Sequence, residues 1–125
     1  MASELRVNTL KDASGNNSVG LSTVAGGSAK VWAKATQSDN SIYDSFNLTS
    51  ITDDGTGQVT FTIASDMANV NYGFTSTTQV TDCGGLNASG TGATATGSAV
   101  HQARNSSGVD FDSNPVTIVS HGDLA

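Results

Sequence analysis

The sequence has one cysteine, one proline and one glutamate, and charged residues make up only 13% of it. Cys83 stands alone, so no disulfide within the chain can hold the fold. Charge is well below the usual fraction of about 25% in soluble domains, which leaves few groups for salt-bridge networks. The basic residues are five, Arg6, Lys11, Lys30, Lys34 and Arg104, and they are dispersed in a chain of net charge −6. They form no basic stripe that would follow a phosphate backbone, so nucleic acid is not an expected partner. The eleven acids form no long run and read as a solvated surface rather than an acidic tail. No segment approaches the roughly 20 apolar residues of a membrane helix. "MASELRVNTL" lacks the basic stretch and apolar run of a signal peptide, so a protein made in a cytoplasm is expected, with no membrane insertion.

Glycine, serine, threonine, asparagine and alanine take the place of charge. Thr and Val favour strands; Gly, Asn and Ser favour turns. At 125 residues the chain suits one domain, and folding would bury roughly two thirds of its extended surface. In "SAKVWAKAT" (28–36), Ala29, Val31, Ala33 and Ala35 fall on one face and Lys30, Trp32 and Lys34 on the other. A short helix could show that pattern, but Gly26-Gly27 and the β-branched surroundings favour a strand. "QVTFTIAS" (58–65) aligns Val59, Phe61 and Ile63 opposite Thr60 and Thr62, a half-buried strand. "ELRVNTL" (4–10), "SFNLTSI" (45–51), "YGFTST" (72–77), "AVHQARNSS" (99–107) and "PVTIVSHG" (115–122) read as further strands, with Pro115 at a strand start where it is tolerated. "SFNLTSI" is expected to place Phe46 and Leu48 on one face. "KDASGNNSVG" (11–20) reads as turn, "QSDNSIYD" (37–44) as loop, "DMANVN" (66–71) as a bend, and the low-complexity 81–99 as loop or irregular edge strand. About seven short strands predict an all-β fold: a small antiparallel β-sandwich or barrel-like domain over 26–125, with a short extended N-terminal arm over 1–25.

Candidate chemistry is sparse. "TDDGTG" (52–57) places Asp53 and Asp54 side by side, pointing to opposite sides of an extended segment, with no acid until Asp66. It reads as a six-residue hairpin connection rather than a calcium loop. In "DFDSNP" (110–115), Asp110, Asp112 and Asn114 match the first three ligand positions of an EF-hand. Pro115 then replaces the glycine and His121 the closing glutamate, so an Asx-rich turn is the simpler reading. His101 and His121 are too separated for a local ligand pair; either could lie near a symmetry axis, be exposed, or be satisfied in the core. Cys83 has no Cys–His context. "GNNSVG" (15–20) lacks the glycine two residues before Ser18 that a nucleophile elbow requires. With Glu4 the only glutamate and one Trp, paired carboxylates for glycoside hydrolysis have no support. Sequons at Asn16, Asn47, Asn87 and Asn105 are what so Asn/Ser/Thr-rich a chain gives by chance. A sugar-binding role for Trp32, Tyr43 or Tyr72 requires exposure in a groove; their strand positions favour core or protomer contacts. No catalytic residue, metal ligand or cofactor is expected.

"GGSAKVWAKATQ" (26–37), "IYDSFNLTSITDDGTGQVTFTIASDMANVNYGF" (42–74) and "VTIVSHGDLA" (116–125) together resemble the C-terminal β-domain of tail-fibre proteins from tailed bacteriophages, particularly marine ones. That family shows an "AKAW" strand, "DSFNVSSITDNGTGDYTVTF", "AMPNANY" and an ending near "GD". The match is specific in the middle and weak across 78–114. The aromatic pattern "W-x-N-F" is here "WAKATQ", and "MANVNYGF" lacks the family's proline.

The resemblance implies a virion structural protein, homotrimeric, displayed outside the particle and involved in host attachment, with receptor contacts expected in 78–114. Residues 1–25 are expected to tie it to another virion protein of tail or capsid. A chain that runs from Met1 with no shaft also suits a capsid decoration, or head-fibre, protein. A small depolymerase is the enzymatic alternative, and it lacks a carboxylate constellation.

Overall fold

A computed structural model of the chain describes residues 6–78, 83–87 and 94–125. The alternation read in 58–63 becomes β6 (Gln58–Ile63), whose Val59, Phe61 and Ile63 are buried while Thr60 and Thr62 face outward. Alternate residues of a strand point to opposite faces, so one face of β6 lies on a core and the other toward solvent. The same rule governs β3 (Val31–Thr36), where Val31, Ala33 and Ala35 are buried and Trp32 and Lys34 exposed.

The fold is an all-β sandwich of antiparallel sheets. One sheet has the order β4 (Ser41–Phe46), β3, β11 (Val116–His121), β7 (Gly73–Thr78). The other has β5 (Leu48–Gly55), β6, β10 (Ser98–Asn105), β8 (Cys83–Asn87), with β9 (Thr94–Ala95) also on β10. Val31, Ala33, Ala35, Val116 and Ile118 of the first sheet meet Ile51, Val59, Phe61 and Ile63 of the second, with Met67 and Tyr72 completing the core. Fully burying a side chain such as Phe61 is worth about 1.5–3 kcal/mol. At one margin β4 runs on into β5, and at the other β7 lies beside β8, so the sheets approach along both margins.

Asn47 makes the first crossing between sheets. Its φ of 56° is left-handed, a conformation Asn tolerates better than most residues. Its Nδ2 donates to the carbonyls of Lys30 and Ser65 (both 3.1 Å), and its Oδ1 accepts from the Ser65 amide at 2.7 Å. This corrects the expectation that "SFNLTSI" is one strand. Phe46 ends β4 in one sheet and Leu48 begins β5 in the other. Leu48 packs on the core, while Phe46 lies on the outer surface and does not face Val59, Phe61 and Ile63.

Other boundaries also move. The hairpin ladder runs on through Asp53↔Val59 and Gly55↔Gln58, so Thr56 and Gly57 are the whole connection rather than six residues. The expected loop at 37–44 is shorter, because β4 starts at Ser41 and pairs with Thr36. Among the described residues, the expected strand at 4–10 contributes Thr9 and Leu10 to β1 (Thr9–Lys11), and the expected turn at 11–20 contains the partner strand β2 (Ser18–Gly20). Residues 21–25, expected as part of the extended arm, lie in helix α1 (Leu21–Gly27). The 81–99 region supplies β8 at the sheet edge and the short β9, as an irregular edge would.

The arm is unlike the body. α1 buries none of its residues, and Leu10, Val19 and Val24 are exposed. An isolated two-stranded hairpin and a helix of two turns are each marginal in water. Inside the β1–β2 turn, the Asp12 carboxylate accepts from Asn17 Nδ2 (2.6 Å), Ser14 Oγ (2.9 Å) and the Asn16 amide (3.1 Å). The Asn17 and then the Ser14 hydrogen bonds hold its pKa below the ordinary carboxylate value. α1 reaches the body through Lys30, whose ammonium meets the Ala25 carbonyl and whose amide donates to Ser120. The helix also spans the boundary expected at residue 25.

Candidate functional site

The sequence-derived candidates disperse in space. Asp53 Oδ1 accepts from the Gly55 amide at 2.9 Å, while the Asp54 carboxylate accepts from the Thr60 hydroxyl. The two acids are thus engaged separately within the hairpin. Asp110 pairs with Arg104 Nε at 2.7 Å and also accepts from Gln102 at 3.3 Å. Asp112 accepts from the Gly57 amide at 2.8 Å, and Asn114 from the Tyr43 hydroxyl at 3.4 Å. The three side chains share no partner. Among the described residues, no three His, Cys, Asp or Glu side chains converge on one point.

His101 and His121 also part company. His121 is exposed at the end of β11. His101 is fully buried on β10, facing the other sheet, with Nδ1 2.8 Å from Ser76 Oγ on β7. Its Nε2 has no partner among the described residues, nor have the hydroxyls of Ser120 and Thr78. Burial holds the His101 pKa down at about 4, so the ring is neutral at pH 7. Tyr72 is buried as well, with its hydroxyl within reach of the carbonyls of Ser98 (2.9 Å) and Ala95 (3.0 Å). Burial raises its pKa.

Ser18 lies in β2 of the exposed arm. Cys83 opens β8. Glu4 lies outside the described residues, as do 79–82 and 88–93 of the span expected to hold receptor contacts. Among the described residues, no helix is long and apolar enough to cross a membrane.

Sequence reading passed over Gln37, set in an expected loop. It is fully buried, and its Nε2 donates to the carbonyls of Gln58 (3.1 Å) and Gly55 (3.3 Å) at the hairpin tip. Its Oε1 accepts from the Ser113 amide, and its own amide donates to the Ser113 carbonyl, both at 3.2 Å. Gly57 is pinned beside it: its carbonyl accepts from Ala103 N at 2.7 Å and its amide donates to Asp112. A Cβ there would stand 2.7 Å from Ala103 O and 2.9 Å from Asp110 Cβ, at a φ of +76°. The Thr56-Gly57 tip is therefore a docked turn, with the Gly55 carbonyl and the Gly57 amide and carbonyl holding one end of the sandwich.

What remains exposed and organised is the outer face of the four-stranded sheet. Register places Trp32 beside Phe46 on β4 and beside Val119 on β11, and Val119 beside Thr75 on β7. The next row is Asp44, Lys34, Thr117 and Thr77. A bulge in β4 between these rows and Ile42 leaves Tyr43 projecting, its ring centroid 5.8 Å from Lys34 Nζ. Exposure is 38% for Trp32, 51% for Phe46, 58% for Tyr43 and 37% for Val119. Lys34, Thr77, Thr78, Pro115 and Thr117 line a shallow depression of about 220 Å³ at one end of this face. Trp32 and Tyr43 thus stand on an open sheet face, where van der Waals contact and desolvation are available but no general base or nucleophile is gathered. The outward placement of Trp32 with Lys30 and Lys34 was visible in the alternation of "SAKVWAKAT". Phe46 was hidden by the turn at Asn47.

In comparisons with family models, curated proteins and solved structures, the chain matches none.

Proposed function

We propose that the chain is a structural protein of a tailed-bacteriophage virion, made in the host cytoplasm and displayed on the particle exterior as a tail-fibre-type attachment module. It acts as a homotrimer without cofactor or catalysis. The observation that carries this reading is where the phage-like segments lie. Residues 26–37, 42–74 and 116–125 supply β3, β5, β6 and β11, all but the first residue of β4 and the first two residues of β7, which is most of one sheet and two strands of the other. The resemblance therefore follows a frame of paired strands rather than scattered positions. The site chemistry agrees with a surface-presenting role, since Asp53, Asp54, Asp110, Asp112 and His101 are engaged in separate structural contacts.

The arm over residues 1–25 joins the trimer to another virion protein of tail or capsid. Its support is the absence of buried residues in α1 and the exposure of Leu10, Val19 and Val24, apolar groups that a partner would cover. Contact with a host surface receptor is assigned to 78–114.

Quantitative mass spectrometry of purified virions tests the reading. A few copies per particle indicate a tail fibre, whereas capsid-lattice multiplicity indicates a decoration protein; absence from virions overturns both. Deleting residues 1–25 should leave a folded trimer that no longer enters particles. A truncated chain that still copurifies with virions would remove the role given to the arm.

A further inference from the structure

The two outer faces of the sandwich differ in kind. Behind β6 and β10 the outward residues are Gln58, Thr60, Thr62, Ser98, Val100 and Gln102, all half-buried, and the exposed Arg104, so only Val100 is apolar. The other outer face carries Trp32, Phe46, Tyr43 and Val119, all exposed, three of them in neighbouring strands of one row. A contiguous apolar face rimmed by threonines is the form an interaction surface takes.

Charge selects the occupant. The chain carries −6 in total, yet on this face Asp44 stands in register beside Lys34 and their charges cancel. Asp53, Asp54, Asp66, Asp110, Asp112 and Asp123 all lie off its strands. Two copies of so acidic a chain repel each other through most approaches, and least where this face meets its counterpart. There Lys34 of one copy can also meet Asp44 of the other. An acidic chain with one cation here suits neither a polyanion nor an anionic membrane.

We propose that the outer face of the four-stranded sheet, centred on Trp32, Phe46 and Val119, is covered by a second copy of this chain. The inference rests on the homo-oligomeric part of the function proposed above and narrows it to one surface. Ordinary strand spacing and rise make the face about 20 Å long and about 15–20 Å wide, on the order of 300–400 Å² per copy. In total that is about 600–800 Å², below the roughly 1,000 Å² of a stable interface, so the association is weak and transient and should change across the micromolar range or above.

Trp32 is the only tryptophan, so its emission reports on this face. The full chain is followed by sedimentation velocity and Trp32 fluorescence across that range, beside the double variant Trp32→Ser/Phe46→Ser and the single variants Lys34→Asp and Asp44→Lys. Sedimentation should rise with concentration as Trp32 emission shifts to the blue. The double variant should keep its strand circular dichroism but associate at least tenfold more weakly. Lys34→Asp and Asp44→Lys should each associate more weakly than wild type, and mixing them should restore association, since the mixture rebuilds the opposite-charge contact between copies. A chain that stays monomeric with unshifted emission overturns the proposal, as does a double variant that associates like wild type. If the double variant does not fold, the charge-exchange mixture decides alone, and a mixture no tighter than its components overturns it. Virion mass spectrometry is independent: a virion protein monomeric in solution sinks this inference and the homotrimer but leaves the virion assignment standing, and an oligomer missing from virions sinks only the virion assignment.

Discussion

Two buried polar clusters hold different relations to the fold. At one end of the sandwich, Gln37, Ser113, Gly57 and Asp112 exchange hydrogen bonds across three segments distant in sequence, and both the amide nitrogen and the oxygen of the Gln37 side chain are used. Between the sheets, His101 has one bond, to Ser76, and its Nε2 and the nearby hydroxyls of Thr78 and Ser120 have none among the described residues. A satisfied buried network specifies one arrangement, whereas an unsatisfied group carries its desolvation cost into the folded state. The first cluster locks the hairpin to the loop before β11. The second leaves the core sensitive to whatever changes the protonation or polarity of β10.

The comparison is broken most forcefully at Gln37. Gln37→Ala strands two carbonyls and the Ser113 amide and opens a void, for an expected loss of about 3–4 kcal/mol in urea unfolding. An effect below about 1 kcal/mol would mean that the network is replaced by water. Gly57→Ala comes next. It combines a positive φ with a Cβ pressed on the Ala103 carbonyl, and should cost about 2–4 kcal/mol. Thermal unfolding of the variant beside wild type measures it.

The third test concerns pH. The His101 pKa is depressed to about 4 in the folded chain, against about 6.5 when unfolded. Its neutral form is the folded one, so the unfolded state binds the extra proton as pH drops. Stability should be intact above about 6.5 and fall toward pH 4, by on the order of 3 kcal/mol. His101→Gln, which keeps a partner for Ser76 but does not titrate, should flatten that slope; an unchanged slope would place the sensitivity elsewhere. The smallest effect is expected at Ser120→Ala. Removing an unpartnered buried hydroxyl should be neutral or stabilise by up to about 1 kcal/mol. A clear loss of stability would show that Ser120 is satisfied after all.

Much of the sandwich was legible because several strands place one face against a single core. Val59, Phe61 and Ile63, like Val31, Ala33 and Ala35, alternate in the sequence as they do in space. Legibility failed where one residue changes the geometry while the pattern continues. Phe46 and Leu48 keep the spacing of one strand, yet Asn47 turns between them and sends them to different sheets. α1 was missed because "LSTVAGG" has no capping side chain and buries no face that would give it helical periodicity. Gln37 was hidden because its burial depends on the hairpin tip and on Ser113, both remote in sequence. For the site, alternation placed Trp32 outward, but the row it makes with Phe46 and Val119 exists only once β4, β3 and β11 are paired.

β11, the last strand, lies between β3 and β7 and pairs with both. The four-stranded sheet therefore cannot close until β11 has been made. β3 and β4 are synthesised early, yet they must leave the ribosome with one long edge and half a core open. Sheets built on such distant pairings form slowly, in milliseconds to seconds for small domains. For this chain, that sheet closes only once β11 is available, and losing β11 would cost the whole sheet rather than its margin.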